Sequence, residues 1–210
     1  AFPPRDGLQT QGSTRTMIAA LILAAGESSR MGQDKALLTY RGRTFLETIV
    51  ASLQEAGIER VAVVLGHHAE QIQGAVTLEG AEIIINRDYR RGQTSSLQAG
   101  LRALESPSLE AVVLCLVDHP LVAADTVRRL VASFRETGAS VVIPTYENQR
   151  GHPVVVSHAL FEELLRLSPD EGANTVIRRY RDSTEFVEVS DEGILLDVDN
   201  PDAYRRWCET

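Results

Sequence analysis

Ile18-Ala-Ala-Leu-Ile-Leu-Ala24 runs directly into Ala25-Gly26-Glu27-Ser28-Ser29-Arg30-Met31-Gly32-Gln33-Asp34-Lys35. Seven consecutive apolar residues bounded by a Gly- and Ser-containing loop read as a strand buried on both faces. Further short apolar runs at 61–65, 81–85, 112–117 and 140–143 repeat the pattern. Between them lie segments of helical period at 45–56, which stops at Gly57, at 95–104 and at 123–137, which stops at Gly138. His67 and His68 are expected to open another helix. Strands that are apolar throughout and alternate with helices predict a three-layer, Rossmann-like α/β fold: a mainly parallel sheet with helices on both faces.

After Pro144 the rhythm changes. Residues 152–156 read as a strand, Ser157 as the N-cap of a helix through 167, and 173–180 as a further helix. Strands are expected at 185–189 and 193–197, then a short helix from Pro201. No repeat or linker divides the chain, so 17–210 reads as one domain. Residues 1–16 (AFPPRDGLQTQGSTRT) lack the apolar core of a secretory signal. Met17 stands just before the first strand, and 1–16 are read as a mobile leader or added residues.

The 210 residues are 43% hydrophobic and 24% charged, with a formal net charge of −8, enough apolar material for a core without disulfide or metal support. Cys115 lies in an apolar run and Cys208 near the tail; neither has a zinc-type partner spacing, which fits a reducing, cytoplasmic setting. The acidic balance disfavours nucleic acid as a partner. No apolar run reaches the length of a membrane span. A small anion, needing only a few local cations, remains open.

In open parallel sheets ligands bind beyond the carboxyl ends of the strands. The loop at 25–35 sits at such an end. Small residues let the backbone approach a ligand and aim N–H groups at anionic oxygens, while Arg30 and Lys35 add a guanidinium fork and an ammonium. The loop is neither a Walker A motif nor a dinucleotide fingerprint. An ordinary strand-to-helix turn with two solvated cations is the alternative. Asp118, directly after the 112–117 strand, stands where a hard cation with phosphate ligands is held; a helix cap is the alternative there.

The stretch LAAGESSRMGQDKALL resembles the signature of the MobA-like nucleotidyltransferases, most closely their molybdenum cofactor cytidylyltransferase branch. The resemblance runs from Met17 to about Trp207 through Gly92-Gln93-Thr94-Ser95-Ser96-Leu97, Asp118-His119-Pro120, Arg150-Gly151-His152-Pro153 and Asp197-Val198-Asp199-Asn200-Pro201. It implies a fold of the nucleotide-diphospho-sugar transferase type. It implies transfer of CMP from CTP to a molybdopterin-type acceptor with release of pyrophosphate, the product passing to a molybdoenzyme or its chaperone. Leu23, Ala24, Ala25 and Gly26 would wrap the nucleotide, with Arg30 and Lys35 on its phosphates. Ala25 gives LAAG, as in the cytidylyl branch, where guanylyl relatives carry LAGG. Asp118 and Asp199 would hold Mg²⁺, with Asp197 as a neighbour that could equally be a solvated turn residue.

Gly66, Thr94, Ser95 and Ser96 are counted with the nucleotide, although Thr94 or Ser95 serves equally well as a plain N-cap. His119, Pro120, Gly151 and His152 are placed on the acceptor side. His119 replaces the more usual Gln of the family's D-Q-P pattern, a departure that leaves Asp118 intact and changes the local contacts, and a structural role is the alternative for His152. Use of GTP, another phosphorylated acceptor, and a non-catalytic nucleotide sensor or cofactor chaperone are the competing readings.

Overall fold

The computed structural model describes residues 16–209; the expected leader, Thr16 apart, lies outside them. Along the chain run β1 (Met17–Ala24), the short strands β2 (Thr39–Tyr40) and β3 (Arg43–Thr44), α1 (Phe45–Glu55), β4 (Arg60–Leu65) and α2 (Ala69–Ala75). β5 (Ala81–Ile85), α3 (Gln93–Leu104), β6 (Leu109–Leu116), α4 (Ala124–Thr137) and β7 (Val141–Tyr146) follow. β8 (Gln149–Arg150), β9 (Val154–Ser157), α5 (Phe161–Leu165), α6 (Ala173–Ile177), β10 (Thr184–Glu188) and α7 (Pro201–Trp207) complete the order.

β1 occupies the middle of an eight-stranded sheet of order β10-β7-β9-β6-β1-β4-β5, with β8 attached to β7. β4 and β6 flank β1 in parallel, β5 runs parallel to β4, and β10 to β7. β9 is antiparallel to both β6 and β7, so the sheet is mixed but mainly parallel.

The period-two alternation of β1 divides the core. Ile18, Ala20, Ile22 and Ala24 pack with Leu46, Ile49 and Leu53 of α1, Ile72 of α2 and Leu130 of α4. Ala19, Leu21 and Leu23 pack with Leu97, Leu101 and Leu104 of α3, Phe161 and Leu164 of α5 and Val176 of α6. Both faces are covered, as continuous apolar strands require. Cys115 belongs to the first of these cores, where burial pushes its thiol up to about 12. Cys208 is also buried, packed with Met31, Phe45 and Val198.

Three expectations after Pro144 change. The expected 193–197 strand is a 3₁₀ turn at Glu192–Leu195. Asp191 starts it: one carboxylate oxygen accepts from Gly193 N, the other from Ala123 N at 2.9 Å and from the Thr126 hydroxyl at 2.6 Å. That side-chain cap outcompetes a ladder. Ser157 does cap its segment, accepting from Ala159 N at 3.3 Å, but a 3₁₀ turn at His158–Leu160 precedes α5, which ends at Leu165. α6 ends at Ile177 and continues as a 3₁₀ segment. Earlier in the chain, α2 starts at Ala69, so His67 and His68 precede it, His68 at the N-cap position with no capping bond from its side chain.

Candidate active site

The loop after β1 is held open by one serine. Ser28 takes a positive φ of 49°; its carbonyl accepts from Met31 N at 2.9 Å and Gly32 N at 3.2 Å, and its hydroxyl accepts from Lys35 N at 3.2 Å. Met31 is buried in the small cluster with Phe45 and Val198 and pins the far side of the loop. Beneath it, Gly66 leaves no room for a side chain: a Cβ there would lie 2.5 Å from Tyr89 Cβ and 2.9 Å from the Ala25 carbonyl. Gly66 thus supports the loop from below, letting His67 N donate to Ala25 O at 3.2 Å.

The loop roofs a cleft of about 360 Å³ beyond the carboxyl ends of β1 and β6. Of the residues singled out in the sequence, Leu23, Ala24, Ala25, Gly26, Arg30, Lys35, Ser96, Asp118 and Asp199 line it. Ser28, Asp34, Tyr89 and Gln93 also line it and had no assigned role. Ser28, Asp34 and Gln93 lie inside the quoted motifs, so the signal was present as position but not as residue type. Tyr89 follows the third parallel strand, at the sheet edge where ligands gather.

Thr94 and Ser95 do not reach the cleft. The Thr94 hydroxyl donates to the Glu171 carbonyl. The Ser95 hydroxyl bonds the carbonyls of Asp88 (3.0 Å) and Gly92 (2.8 Å) and accepts from Asn86 Nδ2 at 2.9 Å. Asn86, buried at the end of β5, also donates to Ser96 Oγ at 3.0 Å. These residues fix the start of α3 as structural partners.

Lys35 concentrates the electrostatics. Its Nζ donates to Asp118 Oδ2 at 3.0 Å and to Asp199 Oδ1, and Arg30 pairs with the other oxygen of Asp199. Burial lowers the ammonium's pKa, but Asp199 and Asp118 together outweigh it, so Lys35 lies above its usual value and stays charged. The two carboxylates are 81 positions apart in the chain (199 − 118) and meet because Val198 N donates to the Asp118 carbonyl at 2.8 Å. That single backbone bond couples the β6 end to the turn before α7.

The donor set suits a hard divalent cation. Asp118 Oδ1 is buried with no hydrogen-bond partner, an orphaned oxygen that an ion would satisfy. Asp118, His119 and Asp197 each offer one ligand atom, all within 4.8 Å of one another. Burial raises the Asp197 carboxyl, helped by Asp118, against the opposing charge of Lys35. Asp199, by contrast, is engaged by the two cations.

His119 and His152 are not among the residues that line the cleft. They line a small cavity of about 20 Å³ with Cys115, Val122 and Pro153, their rings 5.0 Å apart. Burial lowers both imidazoles, His152 to about 4, with the neighbouring His119 adding to its shift. Pro120 is buried. Gly151 bonds Pro144 O at 3.0 Å, and His152 N bonds Ile194 O at 3.0 Å.

The profile of the MobA-like NTP transferase domain matches residues 20–184, which include the loop, Asp118 and both histidines. The chain belongs to the MobA-like NTP transferase family. Its sheet is of the nucleotide-diphospho-sugar transferase type. The chain is 32% identical over 189 residues to the nicotine blue oxidoreductase of Paenarthrobacter nicotinovorans, covering 87% of this chain and 92% of that protein. It is 29% identical over 189 residues to the molybdenum cofactor cytidylyltransferase of Escherichia coli K12, covering 89% and 93%. The crystal structure of Rv0371c from Mycobacterium tuberculosis H37Rv superposes with a TM-score of 0.83 at 33% identity, covering 93% of this chain and 98% of that one. The same protein has been solved as a complex with manganese, with a TM-score of 0.80 at 32% identity, covering 93% and 99%. The oxidoreductase and the cytidylyltransferase differ in the activity they are named for, so family membership fixes the nucleotidyltransferase framework and leaves the acceptor to the site.

Proposed function

We propose that this chain transfers CMP from CTP to a molybdopterin-type phosphorylated acceptor in the cytoplasm and releases pyrophosphate, with residues 17–210 acting as one catalytic domain and a molybdoenzyme or its chaperone receiving the product. The observation that carries the reading is Lys35, wedged between Asp118 and Asp199 on the floor of the cleft under the 25–35 loop. A triphosphate entering there competes for Lys35 and Arg30, and the carboxylates they leave become free for a cation.

An oxygen of the acceptor phosphate attacks the α-phosphorus in line. The bond from that phosphorus to the α,β-bridging oxygen breaks, and pyrophosphate leaves with the electron pair. Lys35 and Arg30 neutralise charge on the phosphates, and the small residues 24–26 admit the polyphosphate close to the backbone. Mg²⁺ held by Asp118 with Asp199 or Asp197 would supply further charge neutralisation on the phosphate oxygens. A phosphate monoester is largely ionised near neutral pH, so no strong general base is needed. Ala25 and the cytidylyltransferase relative support CTP over GTP.

A second reading comes from the relative named as an oxidoreductase: the cleft would hold the nucleotide part of a redox cofactor. The absence of a dinucleotide fingerprint after β1 and the Lys35–carboxylate cluster weigh against it. The discriminating experiment is pyrophosphate release measured with each of the four NTPs, Mg²⁺ and a molybdopterin-type acceptor. CTP-dependent release that Asp118→Ala abolishes, with the circular dichroism unchanged, is expected. A GTP preference overturns the Ala25 argument. No turnover with any NTP, together with acceptor-dependent oxidation of a nicotinamide or flavin cofactor, overturns the transferase reading.

A further inference from the structure

Asp34 and the consecutive histidines His67 and His68 form a cluster that the transferase reading does not use. Neighbouring side chains of an extended chain diverge. Here His68 adopts a left-handed conformation, φ 49° and ψ 30°, and its ring lies against that of His67, centroids 3.7 Å apart and planes tilted by 37°. Both Nδ1 atoms face one carboxylate. His68 Nδ1 lies 3.0 Å from Asp34 Oδ2, and His67 Nδ1 lies 3.7 Å from Oδ1.

A hydrogen bond accounts for His68 but not for His67, whose Nδ1 is sealed from solvent, has no hydrogen-bond partner and sits too far from the carboxylate to form one. Asp34 and His68 each occupy a helix N-cap position, yet neither side chain caps. The Asp34 side chain is only 10% exposed. Three donors thus converge, all within 4.8 Å of one another. Two atoms bound to one ion at about 2.1 Å are separated by roughly 3 to 3.5 Å; the nitrogen–oxygen spacings here are 3.0 and 3.7 Å, so a small side-chain adjustment completes the set.

We propose that Asp34, His67 and His68 bind one divalent transition-metal ion through a carboxylate oxygen and two imidazole nitrogens, at a second site beside the nucleotide cleft. Two nitrogen donors in three suit Zn²⁺, Co²⁺ or Ni²⁺ better than Mg²⁺. The remaining coordination positions are left to water or to a ligand in the cleft, which Asp34 lines. Because Asp34 precedes Lys35, a bound ion ties the 25–35 loop to the turn after β4. The inference is independent of which reaction the cleft performs.

The test uses untagged, chelator-stripped full chain carrying Asp118→Ala, which disables the other candidate metal group. Titration with Co²⁺, followed by its visible d–d absorption, is expected to saturate at one ion per chain, and Zn²⁺ should displace it. Adding Asp34→Asn or His67→Ala should weaken Co²⁺ binding by about tenfold or more. His68→Ala, at an exposed position, should do the same and keeps the test valid if His67→Ala impairs folding by circular dichroism. A chain with Asp118→Ala that takes up no Co²⁺, or that binds it equally well without Asp34 and His68, overturns the site.

Discussion

The two halves of the sheet behave differently. In one half the strands β5, β4, β1 and β6 lie side by side in that order and all run parallel to one another. Beyond β6, β9 runs against both neighbours, β8 is a two-residue strand on β7, and the 192–199 stretch is a 3₁₀ turn and coil. The regular half presents the 25–35 loop and Lys35; the irregular half returns Asp197 and Asp199 to the same place. Regular βαβ units position backbone well, whereas a carboxylate that must meet another from far along the chain is delivered more readily by coil. The candidate centre lies on the seam, and the Val198–Asp118 backbone bond is its stitch.

Removing the cation at the seam gives the largest expected effect. Lys35→Met keeps the stem but deletes the charge that Asp118 and Asp199 share. A fall in kcat/KM for pyrophosphate release of about 10³-fold, roughly 4 kcal/mol of transition-state stabilisation, is expected with the circular dichroism unchanged. Activity retained within a few-fold would mean that the halves meet at Lys35 for structural reasons alone.

The irregular half should also be the more sensitive to acid. His152 is held at about 4 against an ordinary 6.5. Between those values the unfolded chain binds a proton that the folded chain refuses, so stability is full above pH 6.5 and lost as pH falls towards 4. The loss attributable to His152 is on the order of 3 kcal/mol across that window. His119, lowered in the same direction, adds to it. The raised Asp197 carboxyl works oppositely, its protonation favouring the folded state above 3.8. Denaturant midpoints at pH 7 and pH 5 should differ less in His152→Asn than in the parent chain; an equal difference would show that the histidine is not buried neutral.

What the sequence disclosed follows the same division. β1, β4, β5 and α1 lay within a residue or so of expectation because apolar runs and Gly57 encode them locally. That Arg30, Lys35 and Asp118 share one cleft could be anticipated because charged residue type and strand end coincide there. For Thr94 and Ser95 the sequence left a nucleotide role and a structural one side by side, because a hydroxyl at a helix start serves a carbonyl as readily as a ligand; the coordinates show Glu171 O accepting from Thr94. The 193–197 strand was misread because its apolar residues carry no sign that Asp191 caps the turn through contacts with Ala123 and Thr126. The antiparallel course of β9 depends on non-local pairing, which periodicity does not report.

Gly151 tests how the irregular half holds its turn. A Cβ there would lie 2.4 Å from the Ile194 carbonyl, backbone that cannot swing aside. Gly151→Ala should cost about 2 kcal/mol and push the 192–199 turn away. Thermal midpoint and pyrophosphate release should therefore fall together; a lowered midpoint with full activity would mean that the turn does not set the carboxylates.

The smallest effect belongs to the regular half and serves as the control. Thr44 caps α1: its hydroxyl accepts from Glu47 N at 3.2 Å while the Glu47 carboxylate accepts from Thr44 N at 2.9 Å. Glu47 also receives Thr77 N at 3.0 Å, and with that bond as the leading cause its carboxyl lies below the usual value. Thr44→Ala should cost about 1 kcal/mol, a drop of roughly 2 to 4 °C in thermal midpoint for a chain of this size. Pyrophosphate release measured below the midpoint should stay within error of the parent, because α1 meets the sheet through its apolar face and sends no polar side chain into the cleft. A Thr44→Ala chain that lost activity in proportion to Gly151→Ala would show that the two halves respond as one unit, and the distinction between a scaffold half and a delivering half would have no physical content.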